Sequence, residues 1–283
     1  MIRNNYNRPG EYDYYAVEHK GMLLEWLLEN VKGMSKVADQ VKETFLSIGY
    51  SVEFQLLKAQ DYGVPQNRER LIFIGNRIGI DNQLIFDAIN KNKVTQQATL
   101  RQAIEDLKPL EASRLKNKTD IITAENGGVV TSAQPTTANA YIQQINPTPT
   151  PSLVVFNHQA RYNNDRDIEI FGRLNEGDDS SNEKIADIMP YKSRSHIFKD
   201  KYFKLDETQV CKTITSHMRY DCNMYIHPRE ARGLSPREAA RIQTFPDDFV
   251  FCGAQNSWYA QIGNAVPVKL AEAIGRGIMK FVK

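Results

Sequence analysis

With 283 residues the chain can hold one large domain or two ordinary ones, and its 41% hydrophobic, 25% charged and 10% aromatic content places it among globular proteins, excluding disordered and fibrous classes. The net charge of +2 neither demands nor forbids a polyanionic partner, so charge has to be read locally. Three cysteines without a CxxC pair argue against a disulfide framework, and no apolar run reaches the roughly 18 residues of a membrane span, so a cytoplasmic location away from membranes is expected.

In chain order, Met22 to Leu28 is an apolar run of strand length, followed by Glu29-Asn30-Val31 and the breaker Gly33. A carboxylate just past the end of a buried strand lies where open α/β sheets place ligands. Apolar residues at 37, 38, 41, 45 and 48 predict a helix that Gly49 closes. Val52, Phe54 and Leu56 alternate with polar neighbours as a half-buried strand does, and Leu71 to Gly75 forms a second strand after a Gly63-Val64-Pro65 loop. The order strand, helix, strand, loop, strand is an α/β arrangement. Gln66, Arg68 and Arg70 occupy every second position before that last strand, so an extended backbone would project them together. Arginine forks on such a face suit a planar, oxygen-bearing partner, although charged residues there also protect edge strands.

Residues 99–107 read as a short helix, and 111–152 are rich in Ser, Thr, Asn, Gln and Pro, as an irregular region or domain boundary would be. Residues 165–187 are acidic, whereas 192–204 interleave Lys and Arg with aromatic rings and form a candidate nucleic-acid surface. Ser235-Pro236-Arg237-Glu238 is a helix start, with Ser as N-cap and Pro at the first helical position. Arg237 and Arg241 on that helix fit intramolecular ion pairs better than DNA contact. Gly263-Asn264 reads as a tight turn into an amphipathic terminal helix over 269–282. Cys211, His217, Cys222 and His227 lack the close pair spacing of a structural zinc site, so no metal is expected.

Taken in order, LLENVKGM (27–34), GVPQNRERLIFIG (63–75), GLSPREAARIQTFPDDFVF (233–251) and YAQIGNAVPVKLAEAIG (259–275) resemble the sixth, eighth, ninth and tenth motifs of the DNA cytosine-5 methyltransferases. The resemblance implies a partial Rossmann-like, S-adenosylmethionine-dependent sheet over 1–93, a smaller irregular target-recognition domain over 94–255, and a return to the catalytic part over 256–283. It implies methyl transfer from S-adenosylmethionine to C5 of a flipped cytosine in double-stranded DNA, in a restriction-modification setting. Glu29, Arg68 and Arg70 would be catalytic and Gln66 would hold the pocket. Asn264 and Val266 would touch the cofactor, while Asn30, Arg237, Glu238 and Arg241 would be structural parts of the motifs. Thr213, Thr215, Ser216 and Arg219 are candidate DNA contacts by position.

Two features of the family are absent: the F-x-G-x-G segment that helps bind the cofactor, and the Pro-Cys dipeptide that carries the nucleophile. None of Cys211, Cys222 or Cys252 follows a proline, and all three are expected to be packing residues. The chain therefore resembles the C-terminal half of such an enzyme, inactive alone and completed by a partner polypeptide that supplies the missing motifs. The alternatives are a fragment of a single-chain methyltransferase and, from another class, a DNA-binding module without catalysis.

Overall fold

A computed structural model describes residues 13–19, 22–114, 116, 131–132, 139–146, 154–190 and 201–281, with 13–26 described as backbone. By their internal contacts the residues form two compact units, Met1–Gly63 with Arg68–Gln96 and Lys269–Lys283, and Val64–Asn67 with Gln97–Val268.

The first unit is built on strands β1 (Asp13–His19), β2 (Met22–Val31), β3 (Ser51–Lys58) and β5 (Glu69–Asn76), in the spatial order β1-β2-β5-β3. The short β4 (Gln66–Asn67) belongs to the second unit. Every neighbouring pair in the four-stranded sheet is antiparallel, so β2 and β3 run the same way on either side of β5. Helix α1 (Ala38–Ser47) connects β2 to β3 across that intervening strand. Its Val41 and Phe45 pack with Leu28, Val52, Leu71 and Phe73, which alternate onto one face of the sheet. Helix α2 (Asn82–Asn90) starts at Asp81, whose side chain accepts from Gln83 N, and buries Ile85, Phe86 and Ile89. Asn90 donates to Gln55 of β3 at 3.2 Å, on the sheet face opposite α1.

The second unit carries α3 (Leu100–Ile104), β6 (Thr131–Ser132), α4 (Ala140–Ile145), β7 (Val154–Val155), α5 (Asp165–Arg173), β8 (Cys211–Lys212), α6 (Pro236–Ile242) and α7 (Gln255–Asn264). Thr99 and Gln102 form a capping box that starts α3, and Ser235 with Glu238 forms a second that starts α6. Leu100, Ile104, Tyr141, Ile214, Met218, Leu234, Ile242, Tyr259 and Ile262 make one contiguous core. Ile170, Phe171, Leu174, Ile185, Tyr202 and Ile226 form a smaller one under α5. β4 and β8 pair in parallel, Gln66 opposite Cys211.

Helix α8 (Val268–Ile278) belongs to the first unit from Lys269 on. It meets α2 at Gly277, where an added Cβ would stand 2.3 Å from Ile89 Cγ1 and 3.0 Å from Ile89 N. Only glycine fits so close an approach.

The structure corrects several expectations. Strand β2 continues through Glu29 and Asn30 to Val31, so the carboxylate stands within the strand rather than beyond its end. Gly263-Asn264 ends helix α7 instead of forming a turn, and the change of direction falls on residues 265–267. The acidic stretch contains α5, whose Asp165 and Asp167 sit in the first turn, where they complement the helix dipole.

Candidate functional site

Glu29 and Arg70 meet. In the β2–β5 ladder Glu29 stands opposite Ile72 and Val31 opposite Arg70, so Glu29 and Arg70 are diagonal neighbours on one face of the sheet. Arg70 Nε and Glu29 Oε1 form an ion pair, with the two side chains only 14% and 12% exposed. A second nitrogen of the same guanidinium donates to the Glu69 carbonyl at 2.8 Å. The arginine is thus held by a carbonyl at one nitrogen and by the ion pair at another. The neighbouring Asn30 turns its side chain back onto its own strand, Oδ1 accepting from Val31 N at 2.8 Å.

Gln66, Arg68 and Arg70 do not share one strand face. The ladder is interrupted at Arg68: Gln66 pairs in β4 with β8, whereas β5 begins at Glu69. Gln66 is fully buried in the second unit, where its Nε2 donates to Gln243 Oε1 at 2.7 Å and to the Ile242 carbonyl at 3.2 Å. Its Oε1 accepts from Ile214 N at 3.0 Å. Both donors and the oxygen of that amide are engaged in anchoring the chain just before Arg68. Arg68 is buried, and its carbonyl accepts from Ala59 N at 2.8 Å.

Gln243, which the sequence reading passed over, extends this network. Its Nε2 donates to the carbonyls of Ile262 at 2.8 Å and Ala265 at 3.2 Å, and its own carbonyl accepts from Val268 N at 3.1 Å. One buried glutamine therefore holds the segment between α7 and α8, which carries the two predicted cofactor residues. Asn264 is exposed at the last position of α7 and Val266 is half-buried. An amide and an apolar edge fit one side of a nucleoside-bearing amino acid such as S-adenosylmethionine; they do not enclose it.

The predicted DNA contacts lie on one chain segment. Thr213 donates through Oγ1 to the Asn67 carbonyl, and Thr215 Oγ1 lies 3.3 Å from Tyr225 Oη. Ser216 begins a 3-10 turn, Ser216–Arg219, and Arg219 at its end is exposed. α7 presses on this turn at Gly263, where an added Cβ would stand 2.1 Å from Ser216 N and 2.2 Å from the Thr215 carbonyl carbon.

Arg237, Glu238 and Arg241 are buried. Arg237 donates to the carbonyls of Phe156, Pro246 and Phe249 at 2.6, 2.8 and 2.5 Å. Arg241 pairs with Asp106 and, at 2.8 Å, with Asp247. Glu238 takes Arg232 in a two-toothed pair at 2.7 and 2.8 Å and accepts from Ser235 N at 2.7 Å. Burial alone would raise the Glu238 carboxyl, but Arg232 and His227 beside it hold it well below the usual carboxylate range. α6 therefore offers no guanidinium to DNA. Arg232 was also missed, because six residues separate it from the acid it neutralises.

The basic-aromatic run divides. Tyr191 to Asp200 lie outside the described residues, and the remainder turns inward: Lys201 pairs with Asp221 at 2.9 Å, Tyr202 is buried, and Lys204 Nζ donates to the Phe171 carbonyl at 3.0 Å. Of the cysteines, Cys211 and Cys222 are buried, and burial pushes the Cys211 thiol up to about 12 and raises that of Cys222. Cys252 is exposed, contrary to the packing role expected of it, because it falls in the loop that precedes α7. No cluster of His, Cys, Asp and Glu among the described residues could hold a metal ion, and none of their helices is long and apolar enough to cross a membrane.

Known proteins resemble the chain over most of its length. The family described as C-5 cytosine-specific DNA methylase matches residues 25–280. The chain belongs to that family. Type II methyltransferase M.DdeI of Desulfomicrobium norvegicum is 30% identical over 277 residues, covering 89% of this chain and 62% of that protein. M.MthTI of Methanothermobacter thermautotrophicus is 31% identical over 277 residues, covering 95% and 70%. M.XorII of Xanthomonas oryzae is 29% identical, covering 91% and 59%. The chain thus spans about six tenths of the length of several curated relatives. A crystal structure of a protein assigned as a prophage-encoded DNA modification methyltransferase of E. coli has a TM-score of 0.60 at 23% identity, covering 92% of this chain and 70% of that one, which shows the α/β fold.

Proposed function

We propose that this chain carries the base-holding and target-reading parts of a methyl transfer from S-adenosylmethionine to C5 of a cytosine flipped out of double-stranded DNA. The observation that carries the reading is the shielded Glu29–Arg70 pair on one sheet face. Attack of a thiolate on C6 pushes electron density toward N3 and O2 of the pyrimidine. In this reading Glu29 hydrogen-bonds the N3 and amino edge, Arg70 holds Glu29 in place, and Arg68 faces O2. Fixed polar groups aimed at charge that develops during reaction are commonly the largest catalytic term. Flipping costs a few kcal/mol, which such contacts offset. Gln66 acts through the backbone by anchoring the chain that enters Arg68. S-adenosylmethionine supplies the methyl group, with Asn264 and Val266 on one side of it. Residues 1–93 and 256–283 form the catalytic part and 94–255 the target-recognition part, with Thr213, Thr215, Ser216 and Arg219 toward DNA.

The nucleophile comes, in the same proposal, from a second polypeptide bearing the Pro-Cys and F-x-G-x-G motifs. Two observations support that: Cys211 and Cys222 are buried with raised thiols, and exposed Cys252 follows Phe251 rather than proline. The test is transfer of a labelled methyl group to duplex DNA after co-expression with the adjacent upstream reading frame. Activity that requires both polypeptides and is lost in Glu29→Ala supports the reading. A folded complex that stays inactive, or full activity of the chain alone, refutes the partner. An upstream sequence continuous with this one would merge the two polypeptides and leave the assignment of Glu29 standing.

A further inference from the structure

The turn that carries Arg219 ends in a side chain without an assigned role. Tyr220 is 61% exposed, the largest exposure of any aromatic ring among the exposed hydrophobic residues described. Single exposed apolar residues are ordinary on protein surfaces, so exposure alone says little. Three further observations set this ring apart. Its neighbours lie against it: the Arg219 guanidinium carbon is 4.6 Å from the ring centroid and one of its nitrogens donates to Tyr220 Oη at 2.5 Å, while the His217 ring, tilted by 59°, lies 5.2 Å away. The turn beneath is clamped, because Arg161 donates to the Met218 carbonyl at 2.6 Å and to the Tyr220 carbonyl at 3.0 Å. Met218 is fully buried in the core, and the near-contact of Gly263 with the Thr215–Ser216 backbone closes the other side.

The result is a rigid tip that presents an aromatic ring, a guanidinium and an imidazole within four residues. A surface that only needed solubility would not fix such a ring from below with a guanidinium on the carbonyls of Met218 and Tyr220. Asp221, the next residue in the chain, is paired with Lys201 at 2.9 Å. Polyanions with flat, stackable bases suit this combination. Arginine takes phosphate, and an aromatic face takes a base or sugar with little ordering cost when it is already fixed.

We propose that the His217–Arg219–Tyr220 tip is a DNA-contacting element, in which Arg219 binds a backbone phosphate and the Tyr220 ring stacks on an exposed base or sugar of the target. This rests on the proposed DNA substrate and adds to it a residue and a division of labour. The two contacts differ in salt dependence, since a phosphate contact releases a counterion and a stacking contact does not.

The test measures binding of the full chain, with its co-expressed upstream polypeptide, to a fluorescein-labelled pool of randomised duplex DNA over a range of salt. Tyr220→Ala is expected to weaken binding about tenfold with the salt slope unchanged, the size of one base–aromatic contact. Tyr220→Phe should bind within twofold of the wild type, because the ring is kept and only the Oη that accepts from Arg219 is lost. Arg219→Gln should lower the slope of log K against log salt by about 1. Both positions are exposed, so unfolding midpoints should stay at the wild-type value. If the wild type binds and Tyr220→Ala stays within twofold of it, the tip is overturned while the DNA substrate stands. If the wild type shows no salt-sensitive binding at all, both are overturned.

Discussion

Replacing Glu29 by glutamine separates a structural role from a chemical one. The change keeps the shape of the side chain and removes its charge, so Arg70 loses an ionic partner but keeps a carbonyl acceptor and its bond to Glu69. With both side chains only 12% and 14% exposed, the pair lies between a surface ion pair, worth about 0–1 kcal/mol, and a fully buried one, whose breaking costs about 3–5 kcal/mol. A stability loss of about 1–2 kcal/mol follows for the folded chain. The chemical cost is larger. If Glu29 faces the developing charge on the pyrimidine, the variant loses about 10²- to 10³-fold in methyl transfer, the size found for single groups of this kind. The assay pairs urea unfolding by circular dichroism with labelled-methyl transfer at saturating DNA, both on the complex with the upstream polypeptide. A rate within about threefold of wild type in a variant that unfolds at nearly the same urea concentration would falsify the assignment. A rate loss accompanied by an equal fall in folded fraction would reduce Glu29 to a structural residue.

Gly263→Ala should cost about 1–3 kcal/mol, because the new Cβ would stand 2.1 Å from Ser216 N and something must move. Since the Ser216–Arg219 turn is what must move, DNA affinity should fall with stability, which titration of the same duplex pool checks. Thiol titration should count one reactive cysteine in the native chain and three after denaturation, with Cys252→Ser removing the native one. Acid should destabilise the second unit above the carboxylate range. Burial holds the His158 imidazole down to about 4 and that of His227 to about 3, against the usual value near 6.5. The unfolded chain therefore binds protons that the folded one refuses. Stability is complete above about pH 6.5 and falls by about 2 kcal/mol per histidine by pH 5, as urea midpoints at pH 7.5 and 5 would show. Glu238, held below the usual carboxylate range, adds a further loss below its ordinary value near 4.5.

Much of this was open to sequence reasoning where the signal is local. The alternation of Val52, Phe54 and Leu56, the helical spacing up to Phe45, and the Ser235-Pro236-Glu238 cap each specify their element through neighbours a few residues away. What escaped is what depends on distant pairing. Strand periodicity places Gln66 with Arg68 and Arg70, yet the chain leaves one ladder for another at Arg68. That break follows from Gln66 finding Gln243 and Ile214, about 150 or more positions away in the chain. Helix α7 has a weak apolar pattern because Gly263, which a propensity argument reads as a breaker, is required by the backbone it touches.

The same contrast bears on how the motifs divide between structure and chemistry. In the stretch from Gly233 to Phe251 every charged side chain with a buried guanidinium or carboxylate is consumed within the protein: Arg237 on three carbonyls, Arg241 on two aspartates, Glu238 on Arg232 and its own helix cap. Such groups lose several kcal/mol if one partner is removed, which is enough to fix their identity without any ligand. Glu29 and Arg70 differ in one physical respect: both remain partly exposed, and the pair is fixed by the sheet rather than enclosed by a core. A rigid charge that keeps access to solvent is preorganised toward something outside the protein. In the proposed reaction that something is a cytosine, whose amino group and protonated N3 are donors matched to a carboxylate, a purpose that folding alone would not supply.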